Sequence, residues 1–93
     1  MDAIASQFAE NLISTRRRAG LSQEELGFRA SLHRTEIGTL ERGIRIARID
    51  TVVKLAGALS VAPGDLLVGM EWTPGDPRPG KFQAIHESAK ASQ

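Results

Sequence analysis

An all-α fold is predicted by three observations. Apolar residues recur near helical spacing from Ala3 to Leu59, and capping and stop signals punctuate that stretch. No segment alternates apolar and polar residues with the period of two that marks a half-buried strand.

Five helices are expected in order. The first runs from about Ala3 to Arg18, with Ile4, Phe8, Leu12 and Ala19 near helical spacing and Gly20 as its stop. Arg16, Arg17 and Arg18 crowd its last turn, where cations meet the negative end of the helix dipole. The second, roughly Gln23 to Arg29, opens on Ser22-Gln23-Glu24-Glu25. There the Ser hydroxyl can accept from the N3 amide while Glu25 reaches back to the cap's own amide, and Leu21 and Leu26 supply a hydrophobic staple. About four residues, Arg29 to Leu32, lead to the third helix, and so short a connection suits two helices crossing steeply. That third helix spans Arg34 to Glu41 and is ended by Gly43. A fourth is expected from Arg48 to Ser60, buried through Val52, Val53, Leu55, Ala56 and Leu59. Pro63 at a first-turn position and Asp65 behind it open a short fifth, ending near Gly69.

The remainder reads differently. From Thr73 to Gly80 the run Thr-Pro-Gly-Asp-Pro-Arg-Pro-Gly marks a turn-rich linker. Lys81 to Gln93 is polar apart from Phe82, Ala84 and Ile85, which suggests a flexible or weakly helical tail. The expected division is therefore a domain over residues 1–70 and a linker with tail over residues 71–93.

Ninety-three residues suffice for one core but not for a second, ligand-sensing domain. The chain has no cysteine, which excludes disulfides, thiolate metal sites and a cysteine nucleophile. Nucleophile–base pairs, metal-ligand spacings and glycine-rich phosphate loops are also missing, so neither an enzyme nor a bound cofactor or metal is expected. No apolar run is long enough to span a bilayer and no signal peptide opens the chain, so a soluble cytoplasmic protein is expected. The net charge is only +1, but its distribution is uneven. Arg29, Arg34, Arg42, Arg45 and Arg48 fall in one stretch against Glu36 and Glu41, while Glu10, Glu24, Glu25, Asp50 and Asp65 lie elsewhere. A cationic strip on a nearly neutral protein favours oriented docking over indiscriminate sticking.

The stretch from about Phe8 to Val68 resembles the Cro and phage-repressor type of helix-turn-helix, the xenobiotic-response-element-like family. The likeness rests on Gly20-Leu21-Ser22-Gln23-Glu24-Glu25-Leu26 and Ile37-Gly38-Thr39-Leu40-Glu41-Arg42-Gly43, continuing through Val52 to Val61 and Asp65-Leu66-Leu67. Within that family, Leu32-His33-Arg34-Thr35 followed by Leu40-Glu41-Arg42 is similar to controller proteins of restriction-modification systems. The chain departs from the family in two places. Gly27 and Ser31 stand where Ala and Gly are usual, and Ile46-Ala47-Arg48-Ile49 lacks the proline often found there.

The resemblance implies a compact five-helix, lambda-repressor-like domain whose second and third helices form a helix-turn-helix. Its third helix is expected to lie in the major groove of double-stranded DNA, reading base edges from its first turn and a half. The positions opposite Ile37 and Leu40 are Arg34, Thr35, Gly38 and Thr39. Arg34 suits a guanine, and Thr35 offers a hydroxyl and a methyl. Gly38 has two readings: a larger residue collides with DNA or the partner helix, or glycine is merely tolerated in a well-packed helix. Glu36 either closes a capping box behind His33 or contacts a cytosine.

Phosphate anchoring is expected from Ser22 and Gln23, at the amide-rich start of the second helix, and from His33, Arg42, Arg45 and Arg48. For Gln23 this role is what the resemblance implies. The resemblance likewise implies that Arg16 and Glu41 form a structural brace. Arg17, Arg18 and Arg29 read as solvated surface. The family dimerises, which implies two recognition helices about 34 Å apart on a two-fold operator. Leu59, Leu66, Leu67, Val68, Met70 and Trp72 are the interface candidates, with the alternative that Trp72 folds back over its own core. The expected function is sequence-specific regulation of transcription by a homodimer on a pseudo-palindromic operator. The competing reading is an antitoxin or adaptor whose tail contacts a protein partner.

Overall fold

The computed structural model describes residues 2–76 and 78–85. Four α-helices lead: α1 (Ala3–Arg18), α2 (Gln23–Ala30), α3 (Arg34–Glu41) and α4 (Ile49–Leu59). A 3-10 turn (Pro63–Leu66) and two strands, β1 (Met70–Thr73) and β2 (Lys81–Ala84), complete the chain.

Each helix is bounded by local chemistry. The Asp2 carboxylate caps α1 by accepting from the amides of Ile4 and Ala5 at 2.8 and 3.1 Å. Gly20, with φ +72°, turns the chain out of α1. The reciprocal box at α2 is present, Glu25 N–H donating to Ser22 Oγ at 3.0 Å and Ser22 N–H to Glu25 Oε1 at 2.8 Å. Helix α4 lies just inside the expected span, with Arg48 and Ser60 as its caps.

The core is a single cluster, and its fully buried leucines and isoleucine are Leu12, Leu26, Ile37, Leu40, Leu55 and Leu66. It draws from all four helices and the 3-10 turn, so α3 is held from beneath by α1 and α2. Asn11 contributes a tie with no motif behind it. Its side-chain amide donates to the carbonyls of Leu66 and Val68 at 3.0 and 2.9 Å, fastening the segment after the 3-10 turn to α1.

Three expectations are corrected. The fifth helix is a four-residue 3-10 turn rather than an α-helix, so the helical count is four plus that turn. Val53 is 54% exposed, because the α4 core stripe runs through Thr51, Val52, Leu55, Ala56 and Leu59 and leaves Val53 on its outer flank. The chain is not all-α, since β1 and β2 pair antiparallel with Met70 opposite Ala84 and Trp72 opposite Phe82. The proline- and glycine-rich run from Thr73 to Gly80 is thus the connection of a hairpin, and Lys81 begins a strand where a flexible or helical tail was expected. Residues 86–93 of that tail lie outside the described residues. Both strands do alternate apolar and polar residues in sequence, Met70 and Trp72 against Glu71 and Thr73, and Phe82 and Ala84 against Lys81 and Gln83. Each is only four residues long and that alternation is not matched by burial, so the expectation of no strand is overturned.

Candidate nucleic-acid interface

Three residues, Ser31, Leu32 and His33, join α2 to α3. Ser31 adopts the left-handed conformation that ends α2, with φ 57°, where glycine would be the unstrained choice. Gly27 is the more demanding position. A Cβ there would lie 2.6 Å from the Leu32 carbonyl oxygen and 3.3 Å from the Arg34 amide nitrogen, so only glycine lets the turn backbone cross α2 this closely. The Leu32 amide donates to the Gly27 carbonyl at 2.8 Å and locks that crossing.

His33 caps α3, its Nδ1 accepting from the Thr35 amide at 3.0 Å and leaving Nε2 outward. Glu36 makes no capping box with it. Its carboxylate pairs instead with Arg45 at 3.3 Å, because α3 turns it toward the loop that follows the helix.

Behind α3 lies a buried ionic cluster. Arg16 Nε and Nη2 donate to the two oxygens of Glu41 at 2.6 and 2.9 Å, and Arg16 Nη1 donates to the Leu21 carbonyl at 2.9 Å. The hydrogen bond to Glu41 is the main reason the Arg16 pKa lies above the ordinary arginine value, against the opposing effect of burial. Gln23 Nε2 also donates to Glu41, at 3.0 Å. One carboxylate therefore ties α1, the start of α2 and the end of α3 together. Gln23 keeps one N–H and its carbonyl oxygen free of that contact.

On the outer side, Arg34 and Thr35 are exposed at the start of α3. The Thr39 hydroxyl donates to the Thr35 carbonyl at 2.9 Å and accepts from Arg42 Nη2 at 3.3 Å, so its polar capacity is largely spent internally and its methyl is the freer group. Gly38 lies on this same outer side but is buried beneath the Arg42 side chain. Its role is spatial. A Cβ at Gly38 would meet Arg42 Nη1 at 3.2 Å and Gln23 Oε1 at 3.8 Å, so the missing side chain is what lets the Arg42 guanidinium fold back along α3 toward Gln23.

Gln23, Thr39 and Arg42 are thereby gathered around Gly38, with Arg34 one turn before it on α3. Ser22 lies beside them but spends its oxygen on the cap. Arg45 and Arg48 stand apart, each facing a carboxylate, Glu36 and Asp50 respectively, at 3.3 Å. Among the described residues, no group of three His, Cys, Asp or Glu side chains is placed to hold a metal, and no helix is long and apolar enough to cross a membrane.

The interface candidates divide. Leu59 and Leu66 are core side chains, 6% and 0% exposed, and are corrected to structural roles because the 3-10 turn folds onto α4. Leu67, Val68 and Trp72 are about half exposed. Trp72 does not cover its own core. It stacks edge-on against Phe82, with centroids 4.9 Å apart, and lies over Gly80. The exposed Phe28, Ile44, Ile46 and Phe82 had no motif around them to single them out.

Residues 12–66 match a family profile described as helix-turn-helix. The chain is 46% identical over 50 residues to control protein C.BamHI of Bacillus amyloliquefaciens, a match covering 54% of this chain and 62% of that protein. It thus spans less than two thirds of that relative's length. Identity to control protein C.SmaI of Serratia marcescens is 44% over 59 residues, covering 63% of this chain and 70% of that one. Among solved structures, the restriction-modification controller protein C.AhdI from Aeromonas hydrophila superposes with a TM-score of 0.67 at 39% identity, covering 69% of this chain and 93% of that chain.

Proposed function

The chain belongs to the helix-turn-helix family that matches residues 12–66, and from that premise we propose that it is a sequence-specific, double-stranded DNA-binding regulator of transcription. It acts on a palindromic operator as a homodimer in the cytoplasm, with α3 in the major groove. Residues 1–70 are its DNA-binding unit and residues 71–93 an appendage to it. The likeness to control proteins favours the narrower role of controller in a restriction-modification system.

The observation that carries the reading is the cluster around Gly38. Gln23 is held by the buried Glu41, and Arg42 is folded over Gly38 toward it. Donors that converge from two helices and are held before the ligand arrives suit a duplex phosphate. Arg34 and Thr35 extend from the same helix as the base-reading pair, with the Thr39 methyl beside them. Ser22, His33, Arg45 and Arg48 are secondary phosphate contacts. For Arg45 and Arg48 the carboxylates of Glu36 and Asp50 must first be displaced.

Selection of bound duplexes from a random pool, followed by salt titration on the selected site, tests the proposal. Arg34→Ala is expected to cost about 1–3 kcal/mol on the selected site and relax its base preference while leaving the salt slope nearly unchanged. Arg42→Ala is expected to weaken all duplexes alike and to lower the slope by about one unit. Enrichment of no duplex, or indifference to Arg34→Ala combined with Thr35→Ala, would defeat it.

A further inference from the structure

Helix α3 carries two acids with opposite fates. Glu41 is spent behind the helix on Arg16. Glu36 stands in the first turn, next to Thr35 and three residues before Thr39, so it borders the face assigned to base contacts. A carboxylate there is a liability beside a duplex, because the phosphates repel it and most base edges present acceptors to it. Its partner is not on α3. Arg45, in the loop between α3 and α4, reaches back to it at 3.3 Å, with side-chain exposures of 33% for Glu36 and 54% for Arg45.

We infer that this pair is a base-dependent gate: Glu36 accepts from the N4 amino group of a cytosine in the major groove, and only then gives up Arg45 to a neighbouring phosphate. The inference deepens the DNA reading above and rests on it.

An ion pair this exposed contributes little in water, so the exchange of partners is easy. The base decides what replaces Arg45. Opposite cytosine, the carboxylate trades one donor for another, and Arg45 is released. Opposite thymine it would meet O4, and opposite guanine O6 and N7, all of them acceptors. Adenine offers an amino group but sets the N7 acceptor beside it, where cytosine has only a C–H. With those three bases Arg45 has to stay as the counter-ion of Glu36 and cannot also serve a phosphate. One carboxylate thereby couples the identity of a base to the number of phosphate contacts.

Two neighbouring arginines supply the contrast. Arg42 donates to the Thr39 hydroxyl, a neutral partner, so its release leaves no charge behind. Arg48 pairs with Asp50, two residues on and at the start of α4, so no base beside α3 governs it. Of the three, only Arg45 is tied to the reading helix by a charge.

The test begins with selection from a random duplex pool by the full chain and by Glu36→Ala in parallel. The wild type is expected to require cytosine at one position of each half-site where Glu36→Ala accepts any base. Salt titration then compares the selected site with the same site carrying T·A in place of that C·G pair. Wild-type affinity is expected to fall about tenfold on the changed site, and its salt slope to fall by about one unit per half-site. Glu36→Ala is expected to show the higher slope on both duplexes. Arg45→Ala is expected to show the lower slope on both and still to prefer cytosine. Each comparison is made between two duplexes within one protein, so it does not depend on how stable a variant is. Selected pools that agree at every position, or wild-type slopes equal on the two duplexes, overturn the inference and leave the DNA reading standing. An Arg45→Ala protein that lowers the slope on the changed site as much as on the selected one does the same. Enrichment of no duplex by either protein defeats the DNA reading and this inference with it.

Discussion

Arg16 reaches from the end of α1 to grip both carboxylate oxygens of Glu41 at the end of α3, with side-chain exposures of only 12% and 5%. Burial makes each charge dependent on the other. Arg16→Ala is expected to cost about 3–5 kcal/mol, because it leaves the buried Glu41 carboxylate without its cation and with only the Gln23 amide as a side-chain partner. The double variant Arg16→Met with Glu41→Leu is expected to recover a large part of that loss, since no charge is then left unpaired. Denaturant midpoints of Arg16→Ala and of the double variant measure it. Duplex binding by the double variant is expected to stay low even where stability returns, as Gln23 has lost its anchor.

Acid affects the start of α2 with a definite sign. The Glu25 carboxylate accepts from the Ser22 amide, and this bond, seconded by the one with the Ser22 side chain, holds its pKa below the ordinary value. A carboxyl depressed in the folded state stabilises fully above its unfolded value, about 4.3, and that contribution fades as pH falls through the lower folded value. Glu25→Gln is therefore expected to lose stability relative to wild type at neutral pH, with the gap closing as the solution is acidified. Melting curves at stepped pH would contradict this if the gap were constant. Ser22→Ala is expected to cost about 1 kcal/mol by removing the other half of the box.

Gly27 and Ser31 should respond oppositely to exchange between glycine and a side chain. Gly27→Ala drives a Cβ to 2.6 Å from backbone, which cannot rotate aside, and a loss of about 1–3 kcal/mol is expected. Ser31→Gly relieves a left-handed serine and is expected to raise stability by up to about 1 kcal/mol. Thermal denaturation of the two variants, side by side, checks both signs.

Gly38→Ala separates stability from binding. The atom it would crowd, Arg42 Nη1 at 3.2 Å, is the tip of a flexible side chain, so the fold has room to adjust. Helix propensity favours the alanine by about 1 kcal/mol. The expected result is an equal or higher melting temperature with weaker duplex affinity, because Arg42 no longer lies beside Gln23. Unchanged affinity would show that this placement of Arg42 does not matter.

Much of the helical frame was legible because its determinants are local. The box at Ser22 and Glu25, the glycine stops at Gly20 and Gly43, and the apolar stripe of α4 all act within about one or two turns of chain. The candidate site was legible only in outline. Arg34, Thr35, Thr39, Gln23 and Arg42 were identifiable by position along two helices. Helix periodicity alone did not reveal that the Arg42 side chain covers Gly38 or that Glu36 turns to Arg45, because both depend on how side chains fold around α3.

The amino-acid order by itself determined where each helix starts and stops, since caps and stops are short-range hydrogen bonds and backbone preferences that need no distant partner. Only the tertiary structure decided the rest. It pairs Met70–Thr73 with Lys81–Ala84, ties Asn11 to the carbonyls of Leu66 and Val68, and keeps Leu66 inside while Leu67 stays half outside. Those outcomes depend on contacts between residues far apart in the chain, whose enthalpy must exceed the entropy of closing the loop between them. The alternation in Met70–Thr73 and Lys81–Ala84 is present but only four residues long on each side, too short to stand out before the pairing is seen.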